Sequence, residues 1–223
     1  MLYLVGENLD KTRAHYQAET GKITQLVRGI YVDADADADA DVLRHAIRIA
    51  TYLYPRAYLS AASAVLLAPT RDGRLFISGL RNQRTRIRTL EIIQNAAPDH
   101  PATASATIDD GLGEFRASVS SIRQRFLEAF RLRSEHAASI DDAMRADIAE
   151  RLVAEYGDPK AAADALWALA RENKWYREGE LAERYLLHTP TEIEVRNKAA
   201  LDFVVAWHGT NIGHLLHDGF EWR

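Results

Sequence analysis

The chain contains no cysteine, which excludes disulfides, thiolate metal sites and cysteine nucleophiles and suits a reducing compartment. No apolar run approaches the ~20 residues that cross a bilayer, and the start, "MLYLVGENLDK", lacks a basic segment leading into an apolar one. A soluble, cytoplasmic protein with no membrane contact is expected. The patterns G-x-S-x-G, G-x-x-x-x-G-K-[ST] and H-E-x-x-H are also missing. A nucleophile elbow, a phosphate-binding glycine loop and a zinc-protease helix each need one of them. The expectation is therefore a protein that is not an enzyme, with no cofactor and no metal.

What is there suffices for a core. The 223 residues are 47% apolar, enough for one large domain or two small ones. The formal charge of −4 includes Asp33, Asp35, Asp37, Asp39 and Asp41, and without them 28 basic residues face 27 acidic ones. The remaining charge is balanced and matters through its distribution.

Those five aspartates belong to "DADADADAD", which suggests the start of a calcium loop. An EF-hand needs glycine at the sixth position and a bidentate glutamate at the twelfth. Starting at Asp33, Asp35 or Asp37, these positions hold Ala38 and Arg44, Ala40 and Ala46, or Val42 and Arg48. No register fits. The repeat reads as a self-repelling connector over residues 33–41 whose last aspartate caps a helix starting near Val42.

Along the chain, "LDKTRAHYQAE" reads as a helix and "KITQLVRGIYV" as a strand. Leu43, Ile47, Ala50 and Tyr54 recur at helical spacing up to Pro55, and Ser60 is placed to cap a short apolar helix. From Thr70 to about Val119 the texture is β, with the strand "RLFIS", the run "QRTRIRTLEIIQ" and a hairpin around Asp110-Gly111. Helical spacing returns with Ile122, Phe126 and Phe130, then with Ile140, Met144, Ile148, Leu152 and Tyr156 up to Gly157. Asp158-Pro159 opens another helix, and Trp167, Trp175, Tyr176 and Tyr185 read as bundle core.

These readings give an α+β protein. Its segments are a partial winged-helix-like stretch (1–32), the connector (33–41), a mixed stretch with a small antiparallel sheet (42–121), a helical bundle (122–188), and a linker with a terminal β-hairpin (189–223).

Two residue sets are candidates for chemistry. His208, His214 and His217 could ligate zinc, but His214 and His217 on one strand face opposite ways and no fourth ligand is evident; they read as ordinary hairpin positions, and His45 and His136 as structural or solvated. The segment "RDGRLFISGLRNQRTRIR" is richer. In a strand, Arg84, Arg86 and Arg88 share one face, and with Arg81 they form a cationic stripe. Such a stripe suits phosphate backbones, an acidic protein partner, or an edge strand guarded by its charges. Lys11, Arg13, Lys22 and Arg28 add a basic scatter near the N-terminus. The expected binding residues, for nucleic acid or an acidic partner, are Arg81, Arg84, Arg86, Arg88, Lys22 and Arg28.

The phrases "GKITQLVRGIYV", "PRAYLSAASAVLL" and "EFRASVSSIRQRFLEAF" together resemble the AbiEi-type antitoxin family of type IV toxin–antitoxin systems. The likeness spans roughly residues 20–187 and is carried by Arg28, Gly29, Tyr31, Tyr58, Leu59, Ser60, Ser63 and Ala64. It implies a non-catalytic protein that represses its own promoter through DNA and opposes a partner toxin. The departure is a truncated winged helix, with one helix ahead of the wing; the "RTRIR" strand is the candidate substitute. Separately, "FVVAWHGTNIGHLLHDG" resembles the first hairpin of HipA-type kinase toxins, with Gly209 and Gly213 at its turn. That likeness implies the alternative role, a regulatory or docking N-terminal domain of a HipA-like serine/threonine kinase toxin system. The expected partners are thus promoter DNA and a toxin or kinase.

Overall fold

The computed structural model describes residues 1–188. The compact unit Met1–Leu186 opens with a small sheet of β1 (Leu2–Leu4), β2 (Ile23–Val27) and β3 (Ile30–Asp33), antiparallel in the order β1-β3-β2. Helix α1 (Lys11–Glu19) lies between β1 and β2 in sequence, and the Asp10 carboxylate caps it by accepting the Thr12 and Arg13 amides. Ala14 and Leu9 pack with Ile23 under this helix.

The expected single strand over 23–32 is a hairpin. Gly29, at φ +83°, turns the chain at Arg28-Gly29, and continuous β-formers on both sides conceal that turn. Space as well as conformation requires glycine here. A Cβ would come within 2.5 Å of the Tyr52 hydroxyl oxygen, and that hydroxyl donates to the Val5 carbonyl at 3.0 Å.

The helix after the repeat also differs from expectation. It starts inside the repeat as α2 (Ala38–Arg44), with the Asp37 carboxylate accepting the Asp39 and Ala40 amides, and it breaks at His45 before α3 (Ala46–Leu53). The connector is therefore partly helical, and its carboxylates are in use. Asp33 and Asp41 accept from the Met1 amine at 3.0 and 2.8 Å, and Asp39 accepts from Arg88.

Strands β4 (Tyr58–Leu59), β5 (Arg74–Gly79), β6 (Gln83–Ile87), β7 (Leu90–Ala96), β8 (Thr103–Asp109) and β9 (Glu114–Ser120) form a six-stranded sheet in the order β6-β7-β5-β4-β9-β8. It is larger than the small antiparallel sheet expected and it is mixed, because β5 pairs β7, and β4 pairs β9, in parallel. The hairpin around Asp110-Gly111 joins β8 to β9 as expected.

Sheets with parallel pairs are normally covered on both faces, and the two cores of this chain do that. Leu75, Ile77, Ile87, Leu90 and Ile92 pack with the N-terminal sheet and α3. On the other side, Phe76 and Ile93 pack with α4 (Ala61–Leu66), α5 (Ile122–Glu128), α7 (Asp142–Tyr156), α8 (Pro159–Glu172) and α9 (Tyr176–His188). The short α6 (Glu135–Ser139) adjoins this layer through its cap Ile140. The stops at Gly157 and the Asp158-Pro159 start fall where the sequence puts them. Helix α5 ends at Glu128, before Phe130, although the Phe130 ring still packs on the core against Phe126 and Tyr185; Tyr176, 58% exposed, does not join the core as expected.

Gly29→Ala is expected to lower the melting temperature, because a left-handed non-glycine residue costs ~1–2 kcal/mol and the new methyl must also displace Tyr52. The double variant Gly29→Ala/Tyr52→Phe should recover only the clash, which thermal melts of the three proteins measure.

Candidate functional site

The arginine segment occupies β6, an edge of the large sheet. Arg84 and Arg86 stand opposite Ile93 and Glu91 and so share one face, as the alternation indicates. Arg88 does not join them. It sits at φ +53° in the β6–β7 turn, where its Nε donates to Asp39 at 2.8 Å. Arg84 is engaged too, donating to Glu91 at 3.2 Å and to Glu135. These carboxylates, Glu135 first, hold the Arg84 guanidinium above its usual range, and the Arg88 hydrogen bond lowers Asp39. Arg81 donates to the Gln83 side chain and Arg86 to the Arg88 carbonyl; neither meets a carboxylate among the described residues. The expected stripe of four therefore carries two uncompensated charges, and it guards a sheet edge.

The N-terminal basic residues behave differently. Lys11 and Arg13 lie in the first turn of α1, Lys22 in the α1–β2 turn, and Arg28 in the β2–β3 turn, and all four are exposed. None has an acidic partner among the described residues. The Val5 amide donates to Gly29, and Val5 also bridges to Leu9 just ahead of the Asp10 cap. This brings the Arg28 turn to the end of the unit where α1 begins. Two cations in the first turn oppose the helix macrodipole, and no acidic residue occupies that turn to offset them. They cost the helix a little stability, which the Asp10 carboxylate at its cap offsets.

The ionisable side chains of Asp110, His45, Glu128 and His136 are buried and engaged within the fold. Asp110 is 5% exposed. It accepts from His45 Nδ1 at 2.9 Å and from both Arg48 Nε and a terminal Arg48 amino group at 2.8 Å, and it also receives the Leu112 amide. Burial pushes its carboxyl up, but Arg48 and then His45 outweigh it and hold the group at about 2. With both oxygens taken, Asp110 latches the α2–α3 break to the β8–β9 hairpin and has no lone pair left for base chemistry. His45 is thus structural and buried.

Glu128 accepts the Ala61 amide at 3.1 Å and the Gln124 side-chain amide at 3.2 Å. Burial pushes it to about 7, and those hydrogen bonds pull against the shift. His136, buried edge-on against Phe76, donates from Nε2 to the Ile77 carbonyl at 2.9 Å. Desolvation depresses its pKa to about 4, so at neutral pH it is an uncharged structural ring. Among the described residues no group of three or more His, Asp or Glu side chains could hold a metal ion, and no helix is long and apolar enough to cross a membrane. The residues His208, His214, His217, Gly209 and Gly213 and the terminal hairpin lie outside the described residues.

No family model matches the chain, and no curated protein matches it.

The pH dependence of stability follows from the buried groups. Between pH 4.5 and about 7, folded Glu128 holds a proton that the unfolded chain has lost, so its contribution falls as pH rises through that window. His136 acts oppositely: its contribution is complete above 6.5 and is lost as pH falls towards about 4. Asp110 loses its own between 3.8 and about 2. Glu128→Gln should therefore gain in melting temperature relative to wild type as pH rises from ~5 to ~7, the window in which Glu128 loses its contribution; a difference between the two proteins that stays constant across that range would contradict it.

Proposed function

We propose that the protein is a non-catalytic, antitoxin-like regulator that binds DNA through its N-terminal helix and hairpin. The observation that carries this reading is the uncompensated set Lys11, Arg13, Lys22 and Arg28, displayed on a strand–helix–hairpin unit. Phosphate backbones bind by releasing counterions to such groups, and a cation already held by a carboxylate contributes less. The same consideration ranks the arginines of the β6 segment. Arg81 and Arg86 are available to an anionic partner, while Arg84 and Arg88 are held by Glu91, Glu135 and Asp39.

The sheet order β1-β3-β2 with α1 between β1 and β2 supports a winged-helix-like description, with the β2–β3 hairpin as the wing and Arg28-Gly29 at its tip. It also agrees with the expectation from the AbiEi-type resemblance, in which Arg28, Gly29 and Tyr31 close the wing. Lacking further helices ahead of the hairpin among the described residues, the unit would bind mainly through phosphates. Phosphate contacts set register and orientation without reading sequence. Repression of a chosen promoter then requires further contacts, from a partner toxin or from a second protomer.

The test is retardation of the gene's own promoter fragment across a salt series. The variant Lys11→Gln/Arg13→Gln/Lys22→Gln/Arg28→Gln should lose binding and reduce the logarithmic salt slope by roughly 0.9 for each phosphate contact removed. Arg84→Gln/Arg88→Gln should change it little. A wild-type slope near zero would overturn DNA binding and favour a protein partner, the docking role in a HipA-like kinase system.

A further inference from the structure

A cleft of about 620 Å³ lies between the β6–β7 edge and the loop joining α5 to α6. It opens on the bundle-facing side of the sheet, the side of Arg84 and Ile93. Its lining includes the residues Arg84, Arg131, Arg133 and Glu135. Arg131 and Arg133 come from "FRLRSE", nearly fifty positions away from β6 in sequence, so no local pattern links them to the stripe.

Each arginine is set differently. Arg84 is pinned on one wall by Glu91 and Glu135. Arg131 lies over the Trp175 ring, 4.6 Å from its centroid, with Glu178 no nearer than 3.9 Å. That stacking orients the guanidinium plane, and no hydrogen bond occupies its terminal amino groups among the described residues. Arg133 is exposed, has no acidic partner among the described residues, and holds φ at +55°. A left-handed arginine is an uncommon conformation. Beside them, Asn82 Oδ1 accepts the Ala96 amide at 2.8 Å, which fixes that side chain with its NH2 group left over as a donor.

Arg84 and Arg131 each have a carboxylate within 4.0 Å, Glu91 and Glu135 for the one and Glu178 for the other, so Arg133 is the cation of this lining with none among the described residues, and an anion entering the cleft meets its charge uncompensated. The planar forks of arginines match phosphate oxygens, and with an apolar wall at Ile93 and exposed Leu132 the cleft could hold more than a bare ion. The volume falls within the range of small-molecule sites, roughly 300–1,000 Å³.

We propose that this cleft binds a small phosphorylated molecule of nucleotide size, its phosphate held by Arg131 and Arg133 and oriented by Asn82. The site is separate from the N-terminal basic unit and gives a DNA-binding regulator a pocket for an effector.

The experiment is isothermal titration of the full chain at low salt with ATP, ADP and inorganic phosphate. Three variants accompany it: Arg133→Gln, Asn82→Ala and Lys160→Gln, the last removing an exposed charge on α8. Saturable binding of a nucleotide, competed by phosphate, is expected. It should weaken at least tenfold in Arg133→Gln, weaken measurably in Asn82→Ala, and stay unchanged in Lys160→Gln. Absence of saturable binding by all three probes would overturn the proposal, as would equal affinity in Arg133→Gln and Lys160→Gln. Promoter retardation by Arg133→Gln should remain at the wild-type level. A variant that loses DNA binding while the wild type binds no nucleotide would count against the cleft and leave the N-terminal reading standing.

Discussion

Burial of both faces of the six-stranded sheet is the constraint from which the rest of the structure follows. β5 shows it most plainly, with Leu75 and Ile77 in one core and Phe76 in the other. Apolar burial is the main favourable term in folding, and a strand that is apolar on both sides must be sandwiched. One cover is supplied by the N-terminal sheet with α3, the other by the helices from α4 onward. Joining the two covers forces the chain through β4, a strand of only two residues between β5 and β9. Immediately after it Ala61 takes φ +50°, and the Ala61 amide is satisfied by the carboxylate of Glu128 from α5. The buried acid is thus a consequence of how the sheet centre connects to its helical cover.

The parts of the fold that were legible in the sequence are those set by near neighbours. Gly157 followed by Asp158-Pro159 announces a helix end and a helix start within three residues, and both are found. The Asp110-Gly111 turn between alternating runs is equally local. The α2–α3 break is not. Helical spacing continues through His45, and the group that holds the kink, Asp110, stands 65 positions away. The parallel pairings were hidden for the same reason, since nothing within β5 or β7 indicates which strand lies beside it. The Arg28-Gly29 turn was written in the sequence but masked by the β-forming residues around it.

The candidate site divides along the same line. Alternation correctly put Arg84 and Arg86 on one face of a strand, because that depends only on the pleat. Whether those charges are free depends on what stands opposite, and Glu135 and Asp39 arrive from α6 and α2. The aspartate repeat illustrates this most directly. Read alone it is a string of repelling carboxylates, whereas in the fold one of them neutralises Arg88, the last residue of the supposed stripe. Arg131 and Arg133 were missed because two arginines in a short loop carry no signal until the loop is set against the edge of β6.

Net charge is consequently a poor guide to what this molecule attracts. The formal −4 counts carboxylates already committed to internal partners, such as Asp110 on Arg48 and Asp39 on Arg88, equally with cations that face water alone. A distant anion responds to the potential at the surface it approaches, which ionic screening limits to about 8 Å at physiological salt. Lys11, Arg13 and Arg28 are exposed on the N-terminal unit with no acidic side chain bound to them among the described residues. A chain acidic on paper can therefore present a locally cationic face, and steering by such a face is governed by its arrangement and not by the sum.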